Sequence, residues 1–121
     1  MCLRKIALVI GIAFVAVGAL GFVPAVTPDG LLFKLFEVDK IHNSVHLVTG
    51  FIALIAASRE AYAKIYFQVF GVVYAAVAVA GFARTGDLWW MHVNHADNFL
   101  HLGIAVVALY FGFVAKPHIE E

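Results

Sequence analysis

Four long blocks of apolar residues, separated by short polar breaks, run along the chain. They cover residues 6–23, 41–57, 65–83 and 99–115. Each block is close to the roughly 20 residues that a helix needs to cross a bilayer. Backbone polar groups in lipid must be satisfied internally, so such blocks predict helices. The pattern therefore predicts an all-α fold, a four-transmembrane-helix bundle with up-down-up-down topology that forms one domain over residues 1–121.

The breaks between blocks carry residues that end helices and form turns. Pro24 and the run Pro28-Asp29-Gly30 end the first helix and open a longer connection. Residues 58–60 and 84–87 supply two shorter connections, and Lys116-Pro117 ends the fourth helix. Within the first connection, residues 31–36 predict a short amphipathic segment that lies on the outer face.

Composition narrows the class of protein further. The chain is 64% hydrophobic and only 13% charged, whereas soluble domains are near half apolar and a quarter charged. This excludes an ordinary soluble domain and a disordered chain. The net charge of zero offers no electrostatic footprint for phosphate, which excludes a nucleic-acid binder. The expected partner is the lipid bilayer, with a homo-oligomer or a larger membrane complex left open.

Basic residues are distributed unevenly between the two sides of the predicted bundle. The N-terminus, the second connection and the C-terminus hold five Lys and Arg residues, against three in the other connections. The positive-inside rule then places both termini in the cytoplasm. The first block is read as an uncleaved span, because it is long for the apolar region of a signal peptide.

The two halves of the chain resemble each other. Matching positions at an offset of 60 are Gly11 with Gly71, Phe14 with Tyr74 and Gly21 with Gly81. Matching positions at an offset of 55 are His42 with Asp97, Asn43 with Asn98 and His46 with His101. This indicates a duplicated helical hairpin with a parallel repeat. A pseudo-two-fold axis along the membrane normal would bring equivalent residues of helices two and four to face each other.

The scarce polar residues form one cluster that could bind a cofactor. His42 and His46 are four residues apart and share one face of helix two, as Asp97 and His101 do on helix four. Three imidazoles and one carboxylate suit tetrahedral zinc, or copper or iron with another geometry. Alternatively, His46 and His101 are the axial ligands of a b-type haem. Asn43 and Asn98 would then orient the imidazoles.

Two other interpretations need no cofactor. Hydrogen bonds from Asn43 to His101 and from Asn98 to His46 would form an interhelical polar clamp, with Asp97 as the N-cap of helix four. A polar ligand or proton pathway is the third interpretation. The concrete hypothesis is a binding module that holds a transition metal or haem between helices two and four near the outer face. The alternative is a structural or accessory subunit of a larger membrane complex.

Other residues carry little chemistry in this interpretation. Ser44 and Thr49 are ordinary helix residues, and no nucleophile accompanies the polar cluster, so an enzyme is not favoured. Cys2 is the single cysteine, so no internal disulfide can form. An aromatic belt at the membrane interfaces is predicted for Trp89, Trp90, Tyr62, Tyr66 and Tyr110.

Two segments resemble the motifs of a known family. Residues 93–103 contain Asn94-His95-Ala96-Asp97-Asn98-Phe99-Leu100-His101-Leu102, and residues 43–50 contain Asn43-Ser44-Val45-His46-Leu47. Together with residues 71–74 they resemble domain-of-unknown-function family 4383, small bacterial four-span membrane proteins. The resemblance implies a multi-pass protein of the bacterial inner (plasma) membrane and carries no activity with it. His42, His92 and His95 lie outside the pattern, which centres on Asn43, His46, Asp97, Asn98 and His101.

Overall fold

The structure, a computed structural model, describes residues 2–84, 88, 91 and 93–116. Residues 85–87 of the predicted connection at 84–87 lie outside the described residues, as do the aromatic pair Trp89 and Trp90, His92 and Pro117.

Four α-helices make up most of the described residues. They are α1 (Leu3–Leu20), α2 (Lys40–Ala56), α3 (Glu60–Arg84) and α4 (His95–Leu109), and α4 continues into a π-helical segment, Tyr110–Val114. Among the described residues, three helical stretches are long and apolar enough to cross a membrane: Leu3–Leu20, Glu60–Arg84 and His95–Val114. Large apolar side chains such as Val9, Ile55 and Val79 remain mostly exposed on the helix surfaces. The chain has the character of a membrane protein, because this exposed apolar surface is suited to lipid.

The helices pack as two antiparallel pairs, α1 with α2 and α3 with α4. In the first pair Gly11 lies against Gly50 and Leu54, and Gly18 lies against Asn43 and Leu47. In the second pair Gly71 lies against Leu109. Small residues at these contacts let the backbones approach closely, which is the usual basis of helix association in lipid.

Acidic side chains accept hydrogen bonds from free backbone N–H groups in the first turns of α1 and α2. At α2, the Asp39 side chain accepts from the backbone N–H of His42 at 2.8 Å. At α1, the carboxylate of Glu60 from α3 accepts from the backbone N–H of Arg4 at 2.8 Å, and the Arg4 Nε donates to the carbonyl of Ala57 at 3.1 Å. Glu60 is buried, and it joins the start of α1 to the start of α3.

The connection between α1 and α2 holds a β-hairpin. Strands β1 (Leu31–Leu32) and β2 (Phe36–Glu37) pair antiparallel, and Phe33 and Lys34 turn the chain with positive φ angles of 54° and 63°. The expected amphipathic segment is thus a hairpin, with Leu32 buried and Phe33 exposed. The Asn94 side-chain amide donates to the Leu35 carbonyl at 2.8 Å, which ties the hairpin to the start of α4.

One member of the predicted aromatic belt lies inside the bundle. Tyr66 is only 5% exposed, and its hydroxyl donates to the carbonyl of Thr49 at 3.2 Å. Tyr62 and Tyr110 are about half exposed. Tyr66 differs because its place on α3 faces α2, where a backbone acceptor lies within reach.

Candidate metal centre

Two adjacent turns of α2 present His42 and His46 on one face of the helix. Asp39 caps α2 immediately before this pair, so His42 lies in the first turn and His46 one turn deeper. Their ring centres are 4.7 Å apart. The two residues are 1% and 3% exposed, which places both imidazoles in the interior of the bundle.

His101 of α4 completes a triangle of imidazoles. Its ring centre lies 5.4 Å from that of His42 and 6.0 Å from that of His46, and it is also 1% exposed. One ring nitrogen from each of the three residues lies within 4.8 Å of the other two. The structure therefore gathers three imidazole donors from two helices at one buried point.

The spacing of the donor atoms is near that of a metal centre. Imidazole nitrogens lie about 2.0–2.1 Å from a bound Zn²⁺, so tetrahedral ligands are about 3.4 Å apart. The three imidazoles would close by roughly 1.5 Å or less to reach that separation. Small rotations of the side chains supply movements of this size, and a fourth coordination position would remain for another donor.

A haem fits this arrangement poorly. The macrocycle of a haem with His46 and His101 as axial ligands would have to fill the plane midway between their rings. The three ring separations place the centre of His42 about 4 Å from that midpoint. The side chain of His42 therefore occupies space that the macrocycle needs, and the triangle suits a single ion.

Asp97 has a different role in the structure from its counterpart in the first half of the chain, His42. Its carboxylate accepts from the backbone N–H of Asn94 at 2.9 Å, and the Asn94 side chain accepts from the backbone N–H of Asp97 at 2.9 Å. This reciprocal capping box closes the N-terminus of α4. Asp97 is buried, but the group of donors within 4.8 Å, among the described residues, consists of the three histidines.

Asn43 and Asn98 each lie against a glycine of the neighbouring helix in their own pair. A Cβ atom at Gly21 would overlap the Asn43 side-chain amide, and one at Gly81 would overlap that of Asn98. Neither the amide atoms of Asn98 nor the ring nitrogens of His46 have a hydrogen-bond partner among the described residues. The clamp expected between Asn98 and His46 is therefore not formed, because Asn98 is directed at α3.

Aromatic side chains enclose the histidine triangle. Phe14 of α1 lies 5.5 Å from His46, and Tyr74 of α3 lies 5.6 Å from His101, between ring centres. Thr49 Oγ1 donates to the carbonyl of Val45 at 2.8 Å and lies 3.1 Å from the Tyr74 hydroxyl. The single proton of Thr49 is committed to Val45, so Tyr74 is the donor in the second contact.

Sequence reasoning missed the polar roles of Thr49 and Tyr74. Thr49 follows His42 and His46 at spacings of seven and three, which places it on the same helix face. That spacing was the available signal. The sequence signal for Tyr74 was weaker. Its equivalent in the first half of the chain is Phe14, so the hydroxyl of Tyr74 is the one difference between the two positions.

The three histidines share a cavity of about 440 Å³ between α2 and α3, which Thr49, Tyr74 and Met91 also line. Met91 is 4% exposed. A separate cleft of about 510 Å³ lies on the other side of His46 and is lined by apolar residues of α1, α3 and α4. His46 is the histidine of the triangle that borders both spaces.

The fold and the site define a small helical membrane protein with a buried histidine triangle between two of its helices. The chain belongs to the family described as Domain of unknown function (DUF4383), whose profile matches residues 4–114. This confirms the resemblance found in the sequence. No curated protein and no solved structure matches the chain.

Proposed function

We propose that this protein binds one first-row transition-metal ion through His42, His46 and His101 inside the membrane. The observation that carries the proposal is the convergence of three buried ring nitrogens within 4.8 Å of one another. Imidazole is a good ligand for zinc, copper, iron and nickel. Zn²⁺ and Cu²⁺ are the first ions to test, because both accept three nitrogen ligands with a position left open.

Burial adds weight to the metal interpretation. Buried polar groups are usually hydrogen-bonded, and those that are not call for an explanation such as an ion. Both ring nitrogens of His46 and the Nδ1 of His101 have no hydrogen-bond partner among the described residues. A bound cation would engage one nitrogen of each ring and so offset part of the cost of burying it.

The proposal includes a four-span bundle made from a duplicated hairpin. Its support is a set of equivalent contacts in the two helix pairs. Gly11 lies on Leu54 as Gly71 lies on Leu109, and Gly21 lies on Asn43 as Gly81 lies on Asn98. Phe14 also contacts His46 as Tyr74 contacts His101. In this arrangement α2, with 17 residues, is about 25 Å long and crosses as the shortest span.

The proposed location is the bacterial plasma membrane with both termini in the cytoplasm. In that orientation the β-hairpin and the capped ends of α2 and α4 face outward. The histidine triangle then lies about one helical turn below the outer surface. An ion could reach it from outside without crossing the whole bilayer.

Metal content measured on purified protein tests the proposal. Protein stripped of metal and then loaded with Zn²⁺ or Cu²⁺ is desalted and analysed by elemental mass spectrometry, and its affinity is measured by competition with a chromophoric chelator. About one ion per chain is expected. His46→Ala and His101→Ala should each weaken affinity by at least about 100-fold, since loss of a ligand exceeds the 10–100-fold effect of losing an outer partner.

A second histidine of α4 provides the matched control. His95 is exposed, so His95→Ala should keep stoichiometric binding. Circular dichroism in detergent checks that every variant is folded. Folded wild-type protein that takes up no ion, or binding that is equally strong in the His46 and His101 variants, would overturn the proposal. That result would favour a structural or accessory subunit.

A further inference from the structure

The cleft on the other side of His46 reaches the lipid-facing surface of the bundle. α1 and α4 make little contact with each other, and the cleft of about 510 Å³ lies between them. Ala13, Gly103 and Val107 line it and are exposed, whereas Phe14 and Tyr74 line it and are buried. A molecule dissolved in the bilayer could therefore enter sideways and reach His46.

His46 is the polar group of this cleft whose hydrogen bonding is not satisfied. The hydroxyls of Tyr66 and Tyr74 also border the cleft, but both are engaged with Thr49. His46 is 3% exposed, and neither of its ring nitrogens has a hydrogen-bond partner among the described residues. The cleft thus offers one buried hydrogen-bonding position on an otherwise apolar surface.

Metal coordination would make that position a donor. A histidine that binds a metal through one nitrogen almost always donates its other N–H to an oxygen acceptor. An ion in the histidine triangle would take one nitrogen of His46 and leave the second as N–H. The described protein residues supply no acceptor for this N–H, so a ligand in the cleft is the candidate acceptor.

The walls of the cleft favour a flat ligand. Phe14, Phe70 and Tyr74 line it, and aromatic rings stack well on planar groups in offset or edge-to-face arrangements. Apolar binding sites with one or two placed polar groups are typical of small-molecule ligands, which commonly occupy about 300–1,000 Å³. A carbonyl oxygen on a flat ring with an apolar tail matches each of these features.

We propose that the cleft binds a lipid-soluble carbonyl compound of the quinone type, whose oxygen accepts a hydrogen bond from His46. The assignment of His46 as the hydrogen-bond donor rests on the proposed metal site. The presence of the cleft does not depend on a metal. The ligand and the ion would then lie on opposite sides of the His46 imidazole. Each would stabilise the ring orientation that the other requires.

Titration with a short-chain ubiquinone tests the proposal. Zinc-loaded and zinc-free protein are titrated by isothermal calorimetry in detergent, beside a ring of the same size and tail that carries no carbonyl group. Saturable binding is expected, about tenfold tighter for the quinone than for the carbonyl-free compound, the factor that one hydrogen bond provides.

A cleft-filling variant separates this proposal from the metal site. A Cβ at Gly103 meets no atom within 4 Å, so Gly103→Phe should fill the cleft and abolish quinone binding while zinc still binds. Val106→Phe is the control, because Val106 is exposed on α4 and does not line the cleft. The Val106→Phe variant should still bind both the quinone and zinc.

The possible failures are distinguishable. Zinc binding without quinone binding, equal affinity for the carbonyl-free compound, or undiminished quinone binding by folded Gly103→Phe protein would each overturn the quinone proposal alone. Equal affinity would identify the cleft as a general lipid groove. Quinone binding that Gly103→Phe abolishes, in a protein that takes up no zinc, would support the cleft and overturn the metal site.

Discussion

At the scale of residues, identical spacing on the two helices led to different positions in the bundle. His42 and His46 are four apart, as are Asp97 and His101, yet only His42 joins the two deeper histidines. Asp97 lies in the first turn of α4, where unpaired backbone N–H groups attract a carboxylate. Its pairing with Asn94 is a local interaction that competes with a position among the imidazoles. Spacing therefore predicts a shared face but not the partner of each side chain.

The close contacts of Gly21 and Gly81 give a prediction at this scale. Gly21→Ala and Gly81→Ala should each lower the free energy of unfolding by about 1–3 kcal/mol, because a methyl group overlaps a buried asparagine amide. Reversible unfolding in mixed detergent measures the effect. The Gly81 variant should also weaken zinc binding, since displacement of Asn98 disturbs α4 three residues before His101.

Gly103→Ala is the matched control for these variants, because its added methyl group meets no neighbouring atom within 4 Å. It should change stability little, or raise it slightly through helix propensity. Equal losses in all three variants would show that the cost comes from replacing glycine in general and not from contact with Asn43 and Asn98.

At the scale of elements, the apolar blocks predicted the positions of the helices. They did not predict where the helices begin, because charged residues lie in the first turns. The first apolar block begins at residue 6, whereas α1 begins at Leu3 and includes Arg4 and Lys5. Arg4 can lie in the helix because Glu60, from another helix, accepts its backbone N–H. Similarly, α3 begins at Glu60, five residues before the apolar block. Interactions between elements fixed these boundaries.

The end of α4 shows the same dependence on a neighbouring element. The π-helical segment Tyr110–Val114 places Gly112 against the backbone of Gln68 on α3, and the Gln68 side chain donates to the Gly112 carbonyl at 2.9 Å. The wider turn leaves backbone groups that need partners from outside the helix. No local pattern in residues 110–114 announces this change of geometry.

The capping box of α4 gives a prediction at the scale of the element. Asn94→Ala should destabilise the protein by about 0.5–2 kcal/mol, because it removes the side chain that accepts from the backbone of Asp97. Thermal unfolding followed by circular dichroism measures the loss. Asn94→Asp should retain most of the stability, since aspartate also caps helices well, but it cannot donate to the Leu35 carbonyl.

The two variants separate the cap from the contact with the β-hairpin. If Asn94→Asp is as unstable as Asn94→Ala, the hydrogen bond to Leu35 is the more important of the two interactions. If both variants equal the wild type, neither interaction contributes measurably to stability.

At the scale of the whole molecule, the proposed topology depends on α2, whose 17 residues make it the shortest of the four proposed spans. α1, α3 and the stretch from α4 through its π segment have the length and composition to cross a membrane, whereas α2 carries His42, Asn43 and His46 in its first two turns. These side chains are buried against the other helices. A helix with a polar face can cross the bilayer when that face is covered by protein.

Cysteine labelling tests whether α2 crosses. In a Cys2→Ser background, single cysteines are placed by Ala25→Cys before α2 and Ser58→Cys after it, both at exposed positions. In intact cells a membrane-impermeant maleimide should label only position 25, and position 58 should react only after the membrane is opened. Labelling of both positions in intact cells would contradict the four-span topology.

The sequence by itself determined that this protein belongs in a lipid environment, the approximate positions of its helices, and its family. Long apolar blocks have few stable alternatives to helices in lipid, so composition and order suffice for that much. The sequence also identified His46 and His101 as the residues on which the site would centre.

The tertiary structure decided which polar groups meet. It placed His42 beside His46 and His101, directed Asn98 at Gly81, and connected Thr49 to Tyr74. These outcomes depend on the rotation and approach of whole helices, which glycine contacts between α1 and α2 and between α3 and α4 set. A hydrophobic pattern specifies which face of a helix is buried, but side chains on that face find their partners only when the opposing helix is in place.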